Sequence, residues 1–160
     1  MTPTSDALTP EECRAINVDC THLIHSFYRC LDEHRYDELA SLFAENGTWV
    51  RLGTELVGPE AIRNVVGERG SWLTAHVVTN VLIDVIDTQR AESTQYVTLY
   101  RHEDWDPADG PAPVVLPLGI LRHRDTLVLE AGIWKFGRKT SRAVMVDRSR
   151  VTHYDNERSP

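Results

Sequence analysis

The chain has 160 residues, 41% hydrophobic and 26% charged, with a net charge of -7, the size and make-up of one soluble domain around one core. No apolar run reaches the roughly 18 residues that a membrane helix needs, and basic residues scattered through an acidic chain give no footprint for a phosphate backbone. Membrane spanning and nucleic-acid binding are therefore not expected.

Residues 1–9 hold neither a basic nor an apolar signal region, so a loose lead-in on a cytoplasmic protein is expected. Thr9-Pro10-Glu11-Glu12 is a helix start, with Thr9 as N-cap, Pro10 at the first position and Glu12 placed to close a capping box. The helix is predicted to run to about His34, with Cys13, Ile16, Cys20, Leu23, Ile24, Phe27, Tyr28 and Leu31 forming one buried stripe. Cys13, Cys20 and Cys30 share this helix, where seven residues rise about 10.5 Å, so no disulfide joins them. A shorter helix is predicted over Tyr36 to Phe43. Asn46-Gly47 then turns the chain into a strand over Thr48 to Leu52, and Gly58-Pro59-Glu60 opens a third helix to about Val66.

After Gly70 the texture changes. Four segments rich in Val, Ile, Leu, Thr and Tyr, namely Trp72 to Asp87, Ala91 to Arg101, Val114 to Val128 and Ile133 to Val146, are predicted strands of one curved antiparallel sheet. Helices first and long strands afterwards give an α+β domain over residues 10–146, with three helices on one face of the sheet. Residues 147–160 are expected to form a polar tail that frays, with Val151 and Tyr154 as the residues able to dock.

Four local strings in this order resemble the SnoaL-like domains of the nuclear transport factor 2-like superfamily. They are Phe27-Tyr28-Arg29-Cys30-Leu31-Asp32 with Tyr36-Asp37-Glu38-Leu39 and Leu42-Phe43; Gly58-Pro59-Glu60-Ala61-Ile62; Ala75-His76-Val77-Val78-Thr79-Asn80; and Trp134-Lys135-Phe136. The resemblance implies a cone-shaped fold whose sheet wraps around the helices and leaves one apolar pocket. It includes dehydratases, isomerases, epoxide hydrolases, polyketide cyclases and the small subunits of aromatic-ring dioxygenases. Fold alone does not choose among these.

Asp32 continues the Ile24–Tyr28 row of the first helix, at the edge of the buried stripe, where a carboxylate gains nothing from the helix dipole. The resemblance implies that it supports a catalytic histidine. A solvated helix-end carboxylate is the alternative. His76 lies in an apolar strand, where an imidazole is either hydrogen-bonded or used as general base and acid. Strand parity opposes His76, Val78 and Asn80 to Val77, Val81, Ile83 and Val85, and a β-bulge between the two sets would turn both inward. Counting from His76 to the second histidine of scytalone dehydratase-like sites reaches Arg101, with His102 one residue away. Tyr28, Trp49, Trp72, Tyr96 and Tyr100, with Asn80 and His102, are the candidate substrate contacts, and a tyrosine hydroxyl is suited to hold a substrate oxygen.

His22 and His25 lack a third ligand at metal spacing, so no metal and no cofactor are expected. Arg122-His123-Arg124-Asp125 reads as a solvated or interface face, although Asp125 resembles a recurrent family position near the sheet. The leading reading is a cofactor-free lyase or isomerase for a small hydrophobic ring compound (a steroid, terpenoid or aromatic polyketide), with His76 moving the proton and Asp32 fixing its tautomer. The alternative is a non-catalytic module, either a dioxygenase small subunit or a ligand carrier. Strand residues apolar at both parities also predict a homodimer through the outer sheet face.

Overall fold

The computed structural model describes residues 8–70, 72–103 and 105–151. Helix α1 (Pro10–Asp32) starts as its sequence requires: Thr9 Oγ1 accepts from the Glu12 amide at 3.2 Å, and the Glu12 carboxylate accepts from the Thr9 amide at 2.8 Å. Its buried stripe runs from Ile16 through Cys20, Ile24, Phe27 and Tyr28 to Leu31. All three cysteines are free, and burial pushes the Cys20 thiol up to about 12.

The helix ends two residues earlier than its periodicity suggests. His34 takes the left-handed conformation at φ 58°, and the Arg35 amide donates to the Cys30 carbonyl at 2.8 Å. This closes a Schellman turn. Asp32 is thereby the last helical residue, held at a fixed height against the sheet.

Helix α2 (Tyr36–Ser41) also stops early, because Phe43 already begins strand β1 (Phe43–Arg51). Asn46-Gly47 lies inside β1, not in a turn before it. Between Phe43 and Thr48 the strand bulges against its neighbour, and Gly47 is packed so closely there that a Cβ would sit 2.5 Å from the Phe136 carbonyl oxygen. The short strand β2 (Thr54–Val57), which the sequence reading lacked, pairs back onto β1 before helix α3 (Gly58–Gly67). Strands β3 (Leu73–Val85), β4 (Arg90–His102), β5 (Gly119–Glu130) and β6 (Ile133–Val146) follow. Val114 and Leu116, expected at the start of β5, are instead exposed in the preceding loop.

The six strands form one sheet in the order β2-β1-β6-β5-β4-β3. Every pairing is antiparallel except β1 with β6, which run parallel. The helices pack on one face, with α1 against both β3 and β6. Phe27 sits at the centre of the core, edge-on to Tyr28, Phe43, Trp49 and Phe136 at centroid distances of 5.0 to 6.0 Å, each such pair adding about 0.5–1.5 kcal/mol beyond its buried area.

Two further bulges decide which side chains reach this core. In β3 the register shifts between Thr79 and Leu82, and Asn80 takes φ 53°. Thr74, His76 and Val78 face inward before the bulge and Val81, Ile83 and Val85 after it, while Val77 and Asn80, each assigned by parity to one of these sets, are exposed. In β6 the shift falls at Gly137, so Trp134 and Phe136 face inward before it and Lys139 after it. The residues after β6 are seated: the Asp147 amide donates to the Leu118 carbonyl at 3.0 Å, and Arg150 donates to the carbonyls of Leu116 and Arg101. Val151 reaches the wall of the internal cavity, and Tyr154 lies outside the described residues.

Candidate active site

The last turn of α1 and the first half of β3 meet where the Schellman turn leaves Asp32. Its carboxylate accepts three hydrogen bonds, all from β3: His76 Nδ1 at 2.5 Å and Thr74 Oγ1 at 2.7 Å on Oδ1, and the His76 amide at 2.9 Å on Oδ2. Burial alone would raise the Asp32 carboxyl. The hydrogen bonds and charge of His76, with Thr74, outweigh it and hold the carboxyl below its ordinary value. The ionised carboxylate accepts only, so Nδ1 of His76 carries a hydrogen, and whenever the ring holds one proton Nε2 presents its lone pair.

That lone pair faces a cavity of about 470 Å³, a volume suited to a small organic molecule. Phe27, Tyr28, Leu31, Trp49, Leu99 and Leu121 supply its apolar surface. The His76 side chain is 8% exposed, enough to touch a ligand and little enough to keep the ring dry.

The structure divides the expected contacts into two groups. Tyr28, Trp49, Trp72 and His76 line the cavity, and Asp32 stands directly behind His76. Asn80 does not: it is the positive-φ residue of the β3 bulge and is exposed. Tyr96 and Tyr100 alternate with the inward Val97, Leu99 and Arg101 on β4, so they occupy the outer face. His102 likewise points away and borders a neighbouring open depression beside Trp105. Arg101, the position reached by counting from His76, lines the cavity with its guanidinium over the Trp72 ring at 4.5 Å.

The largest correction concerns Arg122-His123-Arg124-Asp125. Only the arginines fit a solvated face. His123 and Asp125 are buried, facing inward with Leu121 and Leu127. Asp125 accepts from Lys139 Nζ at 3.0 Å and from Gln95 Nε2 at 2.6 Å, with all three side chains enclosed. Lys139 Nζ also sits 4.5 to 4.9 Å from the rings of Phe27, Phe136 and Tyr28. Burial pulls the Lys139 ammonium down, and Asp125 opposes that shift.

Tyr28 joins the two clusters. The Tyr28 ring lies 5.4 Å from that of His76 and 5.7 Å from that of His123. Burial, reinforced by the positive charge of Lys139 and then by His76, holds His123 well below its ordinary value, so it is neutral. Burial and the negative Asp125 push the Tyr28 phenol well up, so it stays protonated. Among the described residues the Tyr28 hydroxyl and both His123 ring nitrogens have no hydrogen-bond partner. Buried polar atoms of this kind ordinarily find one, and both side chains line the cavity. The Tyr28 ring thus lines the cavity beside His76, while its hydroxyl is enclosed within the influence of Asp125 and Gln95.

His22 and His25 are exposed on α1, and among the described residues no three His, Cys, Asp or Glu side chains converge as metal ligands. No helix among them is long and apolar enough to cross a membrane.

A curved mixed sheet closed over one long helix, with a histidine–aspartate pair in the cavity between them, defines a nuclear transport factor 2-like α+β protein. A SnoaL-like domain model matches residues 15–140, and the chain belongs to that family. Among solved structures, a protein of Novosphingobium aromaticivorans assigned as a scytalone dehydratase superposes with TM-score 0.75 at 21% identity, covering 95% of this chain and 99% of that one. The hexachlorocyclohexane dehydrochlorinase LinA-type3 of Novosphingobium barchaimii superposes with TM-score 0.70 at 14% identity, covering 87% and 93%. Aln2 of a Streptomyces species superposes with TM-score 0.68 at 22% identity, covering 86% and 94%. At these identities the likeness is one of fold. A search of curated protein sequences gives no significant match.

Proposed function

We propose that this protein is a lyase or isomerase that moves a proton on a small ring compound without a cofactor. The observation that carries this reading is His76, held in one tautomer by an ionised Asp32 and presenting Nε2 to an apolar cavity. Nε2 takes a proton from a carbon next to a carbonyl, and the electron pair of that C–H bond moves toward the carbonyl. The imidazolium formed is stabilised by the carboxylate at 2.5 Å. In a dehydration the pair then expels the β-hydroxyl, and His76 returns its proton to the leaving oxygen to release water. In an isomerisation the same proton goes back to a different carbon.

Two structural neighbours support the reaction class, since a dehydratase and a dehydrochlorinase both remove a proton and a leaving group from adjacent carbons. The alternative of a purely binding module leaves unexplained why a half-buried carboxylate is held against one edge of a histidine whose ring lines the cavity.

The test is deuterium exchange. Incubation with a panel of cyclic ketones and β-hydroxyketones in D₂O, followed by proton NMR, is expected to show loss of the signal α to the carbonyl in at least one. His76→Ala should abolish that loss. Exchange that persists undiminished in His76→Ala would remove the mechanism.

A further inference from the structure

The chain is acidic, yet the cavity wall carries Arg51, Arg69, Arg101, Arg142 and Arg150 and, among the described residues, no aspartate or glutamate. Arg142 and Arg150 are exposed, and Arg150 is occupied by the carbonyls of Leu116 and Arg101. The inner three differ. Arg51 ends β1, Arg69 follows α3 and Arg101 lies near the end of β4, all half-buried. Arg101 has one carboxylate, that of Glu103 at 2.6 Å, but its Nε is buried without a partner. Arg69 Nη1 is also buried without a partner, and neither Arg51 nor Arg69 forms an ion pair among the described residues.

Burial pulls both guanidiniums below their ordinary range, and for Arg69 the like charges of Arg51 and Arg101 add to it, against Tyr36 and Asp32. Three half-buried cations drawn toward one another, with Glu103 on Arg101 as their one ion-pair partner among the described residues, are unfavourable in the empty protein. A guanidinium fork is matched by the paired oxygens of an oxyanion.

We propose that the ligand of this cavity is an organic anion, an apolar ring body carrying a carboxylate, sulfonate or phosphate that is held by Arg51 and Arg69 with Arg101 beside them. The ring body lies against Phe27, Leu31, Leu99 and Leu121, within reach of His76. The inference rests on the reading of this cavity as the substrate site, and it concerns binding, not proton transfer.

The experiment uses a matched pair of fluorescent probes on the full chain. 8-Anilino-1-naphthalenesulfonate carries the anion, and N-phenyl-1-naphthylamine has the same rings without it. The sulfonate is expected to saturate one site per chain with a Kd at least tenfold below that of the neutral amine. The double variant Arg51→Gln/Arg69→Gln should weaken the sulfonate tenfold or more and leave the neutral probe within twofold. If that variant does not fold by circular dichroism, Arg51→Lys/Arg69→Lys keeps the charge, removes the fork and should still weaken the sulfonate. The deuterium-exchange test reads His76 and this titration reads the arginines, so the mechanism and this inference can fail separately. No saturable sulfonate binding, equal affinity for the two probes, or unchanged affinity in the folded arginine variant would overturn it.

Discussion

Asp32→Asn replaces one oxygen by an amino group and leaves the volume of the side chain intact. The wild-type carboxylate receives hydrogens from three donors, and an asparagine has only one oxygen to offer them. If that oxygen stays opposite the His76 amide, the new NH₂ faces Nδ1 and must donate to it. The imidazole then keeps its hydrogen on Nε2 and has no lone pair toward the cavity. If the amide flips, NH₂ meets the backbone N–H of His76 and two donors oppose each other, so the first arrangement prevails. Thr74 can turn its hydroxyl to accept, so the cost in stability is confined to roughly one charge-assisted bond, about 1.5–3 kcal/mol.

The cost in turnover is larger, about 10³–10⁴-fold, or about 4–5.5 kcal/mol of barrier, as for other histidines held in the wrong tautomer. Nitrogen-15 NMR of the neutral imidazole reads the tautomer without any substrate: protonated Nδ1 is expected in the wild type and protonated Nε2 in the variant. The linkage adds a pH signature. Because the folded-state pKa of Asp32 lies below its unfolded value, its contribution is complete above about pH 4 and is lost as the pH falls through the folded value. Asp32→Asn should flatten that acid limb. A wild-type ring protonated on Nε2, or a variant retaining turnover within tenfold, would refute the reasoning.

Lys139→Met leaves Asp125 buried without its cation and should cost about 3–5 kcal/mol in urea denaturation, with Asp125→Asn added to it restoring more than half; a loss under about 1 kcal/mol would contradict the buried pair. His123 has a folded-state pKa well below its unfolded value of about 6.5, so its stabilising contribution is full above that pH and declines as the pH falls. The melting temperature should therefore drop between pH 7 and 5, and His123→Gln should drop less. Leu73, Val77 and Leu82 are 40%, 48% and 57% exposed on the outer side of β3, and a homodimer through that face is expected to give a light-scattering mass near twice 18.2 kDa, which Val77→Asp should halve; a wild-type monomer at micromolar concentration would argue against it.

The parts of the site that were legible in the sequence are those tied to a single period. Asp32 lies one turn beyond Tyr28 on a stripe whose inward face is unmistakable, and the conflict of parity along residues 76–85 marks a place where a bulge would resolve it. Tyr96 and Tyr100 were misplaced for want of the same check. They share the parity opposite to Val97, the buried residue between them. His123 and Asp125 were hidden by their neighbours, because two flanking arginines make the string look solvated while Leu121 and Leu127 carry the inward parity.

Lys139 could not be placed at all by alternation. Gly137 inserts one residue into β6 and reverses its faces. The arginines of the cavity come from three separate strands, the segment after α3 and the C-terminal segment, and no local pattern joins them. Their convergence exists only in three dimensions.

The bulge at Asn80 splits β3 into two stretches with different obligations. Thr74 and His76 on one side answer to Asp32 and the ligand, whereas Ile83 and Val85 on the other answer only to the fit of the core. A reversal of faces between them means that a substitution altering the twist or register of one stretch is absorbed at the joint before it reaches the other. Selection can therefore revise the reacting end of the strand for a new substrate while the anchoring end keeps the sheet intact. A strand of uniform parity would have had to change as a whole.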